Sequence, residues 1–158
     1  LTLAKKKSKK YQETSKLINW LLKKEDIFNY NHPKTFYQFF ENVKKHKKVL
    51  RDLLLNLKDM KKKVLGYGAS TKGNVILQYC KIDSSLLSYV GEVNKYKFNK
   101  FTPGSKIKII SENNAKFMQP DYFLVLPWHF KNFIINKEKN FLSKKRRLIF
   151  PLPDIEII

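Results

Sequence analysis

Apolar residues recur at helical spacing through residues 1–63 and at strand spacing beyond them. Leu17, Ile18, Leu21 and Leu22 form a short stripe with Trp20 beside it, and Asn31, His32 and Pro33 interrupt it. From Phe36, steps of three, four and seven run through Phe39, Phe40, Val43, Leu50, Leu53, Leu54 and Leu57. That period predicts one buried face on a long helix over about 35–58. Thr35 is placed to cap it, with Gln38 three residues on as the capping-box partner. Lys44, Lys45, Lys47 and Lys48 fall between the apolar positions and belong on the solvated face.

At Val64 the pattern changes. Val64-Leu65-Gly66-Tyr67-Gly68 reads as a short strand running into glycine, and Asn74 to Tyr79 as a helix. Leu86 to Val90 reads as a second strand, and Ile107, Ile109 and Ile110 as an alternating segment after the turn Thr102-Pro103-Gly104. Ser111, with Asn114 three residues later, resembles a helix start. Asp121 to Leu126 is a strong strand ended by Pro127; Phe130, Phe133, Ile134, Phe141 and Leu142 fit one helix. Leu148-Ile149-Phe150 and Ile155–Ile158 close the chain as strands. Strands alternating with helices predict the α/β class: a small Rossmann-like domain over 64–158 with a mostly parallel sheet, preceded by a helical segment over 1–63.

Composition narrows the chemistry. The 158 residues suffice for one domain, or one domain with an appendage. One cysteine, Cys80, excludes a disulfide framework and a multi-cysteine metal site, and it has no adjacent histidine or acid to activate it. His32, His46 and His129 are too scattered for a metal cluster. No apolar run approaches a membrane span or a signal segment, so a reducing, cytoplasmic setting is expected. A first residue other than Met leaves two expectations open, an excised C-terminal piece of a longer chain or a stand-alone domain that needs a partner. The net charge of +20 raises a basic nucleic-acid-binding module as one alternative. Almost all of that charge is lysine, however, and arginine, the usual bidentate reader of bases and phosphates, is confined to positions 51, 146 and 147.

The chemical signal is glycine. The chain has five glycines, and Gly66, Gly68 and Gly73 fall together between a strand and a helix. There glycine allows a tight turn and a close approach of backbone N–H groups to a phosphate, at the positive end of the following helix. Ser70 and Thr71 add hydroxyls and Lys72 a cation. The spacing G-x-G-x-x-x-x-G is neither the dinucleotide fingerprint nor a Walker loop. Glu92, with Asn94 nearby, follows the second strand where an acid can hold ribose hydroxyls. Trp128 and His129 follow the strand at 121–126, at a carboxyl end where open α/β sheets place ligands. The bland alternative is a structural or interaction domain whose glycine loop is inactive and serves strand–helix packing.

The stretch Gly66-Tyr67-Gly68-Ala69-Ser70-Thr71-Lys72-Gly73-Asn74 resembles the glycine loop of the sugar C-methyltransferase C-terminal domain. Tyr96-Lys97, Thr102-Pro103-Gly104, Pro120-Asp121-Tyr122, Leu126-Pro127-Trp128 and Phe150-Pro151-Leu152-Pro153 resemble later motifs of that family in the same order. The resemblance implies a domain that helps hold a nucleotide-linked keto-deoxysugar in an S-adenosylmethionine-dependent C-methyltransferase. Gly68, Ala69, Ser70, Lys72, Gly73 and Asn74 would then contact the diphosphate. Glu92 stands where the family usually has Asp, Lys100 where it has Arg, and His129 where it has Asn. The family's zinc cysteines and its methyltransferase segments have no counterpart among these residues. This chain is therefore expected to bind no cofactor itself, to supply no catalytic residue, and to need a methyltransferase domain in cis or in trans.

Overall fold

The computed structural model describes residues 14–158. The chain divides into two compact units, one ending at Val43 and one spanning Lys44–Ile158.

The first unit holds α1 (Ser15–Ile27) and the opening turns of α2 (Pro33–Asp59). Pro33 takes the first helical position, where its fixed φ suits the helix and its missing N–H is not needed. That start lies ahead of Thr35, so the expected capping box does not form. Instead His32 Nδ1 accepts from the Lys34 amide at 3.2 Å, the Thr35 hydroxyl donates to Asn29 O at 2.8 Å, and Gln38 bonds Asn42. The apolar stripes of this unit are not buried: Leu17, Trp20, Phe36, Phe39 and Phe40 are all exposed. An open hollow of about 430 Å³ is lined by Asn31, Pro33, Phe36, Tyr37 and Phe40.

The single buried face expected from Phe36 to Leu57 is thus confined to Leu50, Leu54 and Leu57. A helix of 27 residues runs about 40 Å, whereas a four-residue strand offers about 13 Å of surface. The helical period outlasts the surface that can cover it.

The second unit is a six-stranded sheet. Its strands are β1 (Val64–Tyr67), β2 (Tyr89–Glu92), β3 (Lys108–Ser111), β4 (Tyr122–Val125), β5 (Arg147–Phe150) and β6 (Glu156–Ile157). They lie in the order β3-β2-β1-β4-β5-β6, all parallel except the β5–β6 pair. This is the mixed α/β, mostly parallel architecture of a small Rossmann-like domain. Because the chain leaves β1 for β2 on one side and reaches β4 on the other, the order reverses between β1 and β4. Crevices at such a switch point are where open α/β sheets place ligands.

Side chains alternate along each strand and fill two cores. Val64, Leu124, Leu126 and Ile149 face one, with Leu50, Leu54 and Leu57 of α2 and Ile76 and Leu77 of α3 (Thr71–Tyr79). Leu65, Tyr67, Phe123, Val125, Leu148 and Phe150 face the other, with Ala115 of α4 (Glu112–Phe117), Ile134 of α5 (Lys131–Lys137) and Phe141 of α6 (Lys139–Leu142). Ser111 caps α4, its hydroxyl accepting from the Asn114 amide at 3.1 Å.

Two further elements differ from expectation. The second strand lies at 89–92 and not at 86–90, because Asp83 and Ser85 form a turn. The Asp83 carbonyl accepts from the Leu86 and Leu87 amides, and the Asp83 carboxylate accepts from Ser85. The helix expected from Phe130 to Leu142 is two helices, broken at Glu138, whose carboxylate turns inward to Tyr67.

Candidate functional site

β1 ends at Tyr67, and Gly68 turns the chain with φ +76°, a conformation that favours glycine. A Cβ there would also lie 2.9 Å from the Pro127 ring, so the loop after β1 and the loop after β4 meet at Gly68. Ser70 caps α3, its hydroxyl accepting from the Gly73 amide at 3.0 Å and its carbonyl from the Asn74 amide. The helix therefore begins at Thr71, earlier than the Asn74 start expected from sequence. Gly73 sits directly on β4's exit, since a Cβ would fall 2.5 Å from Leu126 Cβ.

The loop amides divide into two sets. Gly68 N–H donates to Gly91 O at 2.7 Å, Ala69 N–H to Glu92 Oε2 at 3.0 Å, and Ser70 N–H to Gly68 O at 2.8 Å. The Thr71 and Lys72 amides have no partner among the described residues and stand at the positive end of α3. Both residues are exposed. The side-chain oxygen of Asn74 is buried and also lacks a partner among the described residues.

Glu92, 6% exposed, behaves differently from an open ribose acceptor. Its Oε2 accepts from Ala69 N–H and, at 3.2 Å, from Lys97 Nζ. Its Oε1 accepts from Val93 N–H at 2.8 Å and Asn94 N–H at 3.0 Å. A carboxylate has about four lone-pair positions, and these four donors use them. Lys97 Nζ reaches back to donate to Ala69 O at 2.8 Å as well. The β2 exit thus holds both polar groups of Ala69.

Trp128 is half-buried and packs against both cores. His129 is exposed, its ring edge-on to Trp128 at 5.8 Å and 4.3 Å from Phe130, with no hydrogen bond to the glycine loop. The structure therefore joins Gly66–Asn74 to Glu92 directly and to the β4 exit through Pro127. His129 stands beside that group and not in it.

Two features went unread in sequence. Lys97 is one; its only signal was a place in the Tyr96-Lys97 motif. The other is a polar network under β1. Tyr67 OH donates to Glu138 Oε1 at 2.8 Å; Lys116 Nζ donates to Glu138 at 2.8 Å and to Glu112 at 2.9 Å; Lys137 donates to Glu112 at 2.7 Å. Burial, and then the bond to Glu138, push the Tyr67 phenol far above its usual range. For Glu112, burial alone would raise the carboxyl, but bonds from Lys137 and Lys116 outweigh it and hold the group below its ordinary value. For Lys116, burial would lower the ammonium, and its two carboxylate partners raise it instead. Tyr67 lies inside the glycine motif, but its phenol's destination depends on Glu138, 71 residues on.

Cys80 closes α3 as a buried residue whose thiol is pushed up by burial, against the pull of Lys47 and Arg51, and so disfavoured as a thiolate. Among the described residues no cluster of His, Cys, Asp and Glu could hold a metal ion, and no helix is long and apolar enough to cross a membrane.

The model of the C-methyltransferase C-terminal domain matches residues 1–153. Over 109 residues the chain is 36% identical to the C-methyltransferase NovU of Streptomyces niveus, an alignment covering 69% of this chain and 26% of that protein. The chain thus spans about a quarter of that relative's length. With a glycine loop at the switch point of a parallel sheet, this chain belongs to the C-methyltransferase C-terminal domain family.

Proposed function

We propose that this chain is the substrate-holding part of a sugar C-methyltransferase, gripping the diphosphate of a nucleotide-linked keto-deoxysugar in the cytoplasm. The observation that carries the reading is the pair of unpartnered amides at Thr71 and Lys72, at the start of α3 and on the switch point of the sheet. An anion there meets two N–H donors, the helix dipole and the Lys72 ammonium. Ser70 leaves the helix opening accessible because it satisfies Gly73 from its own side chain. Gly68 and Gly73 carry no Cβ into the spaces beside Pro127 and Leu126, so the loop lies close against the sheet.

S-adenosylmethionine, the methyl donor that the family implies, belongs to the rest of such an enzyme. Its sulfonium is a cation, whereas the loop presents Lys72, Lys97 and a helix N-terminus. Glu92, the acid that could hold a nucleoside ribose, has its acceptors occupied. The residues present do not fit that donor, and no methyl-transfer step is assigned to them. Their part is to bind and orient a substrate whose carbon is methylated by a partner domain.

Ligand-induced stabilisation tests the reading. A nucleoside diphosphate at 100 times its dissociation constant adds about 2.7 kcal/mol to the folded state. Thymidine or guanosine diphosphate at millimolar concentration should raise the melting temperature, and Lys72→Ala should reduce the rise. A melting temperature that neither nucleotide moves would overturn it.

A further inference from the structure

We propose that Lys97 is a second phosphate-binding cation of this site and that Glu92 is the residue that positions it. The inference rests on the diphosphate reading above and adds to it a residue that the glycine loop does not contain.

Lys97 ends a short 3-10 turn, Lys95–Lys97, whose start is fixed by Asn94 Oδ1 accepting from the Tyr96 amide at 3.0 Å. From there its ammonium spans to the loop after β1. It donates to Ala69 O at 2.8 Å and to Glu92 Oε2 at 3.2 Å. An ammonium has three protons, so one remains, on a side chain that is 42% exposed. Ala69 is the residue just ahead of the Ser70 cap, and the free amides of Thr71 and Lys72 follow that cap. The remaining proton thus stands at the edge of the same opening.

Glu92 makes this arrangement rigid. One oxygen holds Ala69 N–H and Lys97 together, while the other is anchored to Val93 and Asn94 N–H, at the exit of β2. A free lysine must give up rotamer freedom to grip a phosphate, and a lysine already held loses less. The carboxylate's charge is met by four donors, so it serves the loop and not the ligand.

Affinity for inorganic pyrophosphate, thymidine diphosphate and thymidine, each measured by calorimetry across a salt series, tests the assignment. In Lys97→Met and Lys97→Gln, pyrophosphate and thymidine diphosphate should bind at least tenfold more weakly and with a shallower salt dependence, while thymidine itself is unchanged. Lys97→Arg should keep most of the affinity. Glu92→Gln raises the net charge, so simple electrostatics expects tighter anion binding; a positioning role expects weaker binding. If wild type binds both anions and folded Lys97 variants match it, Lys97 is overturned and the diphosphate reading stands. If Glu92→Gln binds more tightly, Glu92 loses its positioning role. If wild type binds neither anion, both readings fall.

Discussion

Two buried carboxylates stand at opposite ends of the same architectural problem. Glu92, after β2, is surrounded by main-chain amides and one half-exposed lysine. Glu138, between α5 and α6, is 2% exposed and meets only side chains, the Tyr67 phenol and the Lys116 ammonium. The first ties together loops that carry free donors. The second belongs to a network in which Glu112, Lys116, Lys137 and Glu138 balance one another. A carboxylate that fixes backbone next to an open cation and unpartnered amides builds a binding edge. A carboxylate closed within a neutral set of side chains builds a brace. Burial does not separate the two; the partners do.

The sharpest break of that comparison is Glu138→Ala. Removing Glu138 leaves the buried Tyr67 hydroxyl without its acceptor and Lys116 with Glu112 alone, and costs about 3 kcal/mol. Chemical denaturation should show that loss, while the folded variant keeps its affinity for a nucleoside diphosphate. A variant that folds normally and loses the nucleotide would move Glu138 from brace to binding site.

Gly73→Ala is the next largest and acts on the other side. Alanine favours a helix over glycine by about 1 kcal/mol. Here its Cβ would sit 2.5 Å from Leu126 Cβ and 2.9 Å from Ser70 Oγ. Overpacking of this kind costs about 1–3 kcal/mol, so the clash outweighs the propensity gain. The predicted signature is a modest fall in stability with a larger fall in diphosphate affinity, because the cap and the free amides shift together. A stabilised variant with full affinity would show that the loop does not need its close seat on β4.

The sequence made one side of this comparison more legible than the other. Gly68, Gly73 and Ser70 announce a turn and a cap by residue type, and their contacts lie within a few positions or on the next strand. β4 and β5 were readable because their apolar runs are covered on both faces. Tertiary partners hid the rest. Glu92 looked like an open acid because nothing local says that Ala69 and Lys97 reach it. The Phe36–Leu57 stripe is periodic throughout, yet only its last part has a sheet to cover it. Period reports what a helix can bury, and the surface opposite decides what it does bury.

The smallest expected effect is in the pH dependence of stability, and it belongs to the brace. Glu112 is held below its ordinary value, so its contribution is complete above the usual carboxylate range and is lost as pH falls through its lowered value. Lys116 and the Tyr67 phenol are raised, so their contributions are complete below their ordinary values and are lost as pH climbs past them. Stability should therefore be level through neutral pH, with an acid limb to which Glu112 contributes beside the lowered Asp83, and an alkaline limb to which Tyr67 and Lys116 contribute beside the raised Cys80 thiol. Denaturant midpoints across pH should show both limbs in wild type. Glu112→Gln should shrink the acid limb, and Tyr67→Phe the alkaline one, since each removes a group whose ionisation differs between folded and unfolded chains. Limbs of unchanged height in both variants would detach the network from the pH response and leave it a brace by packing alone.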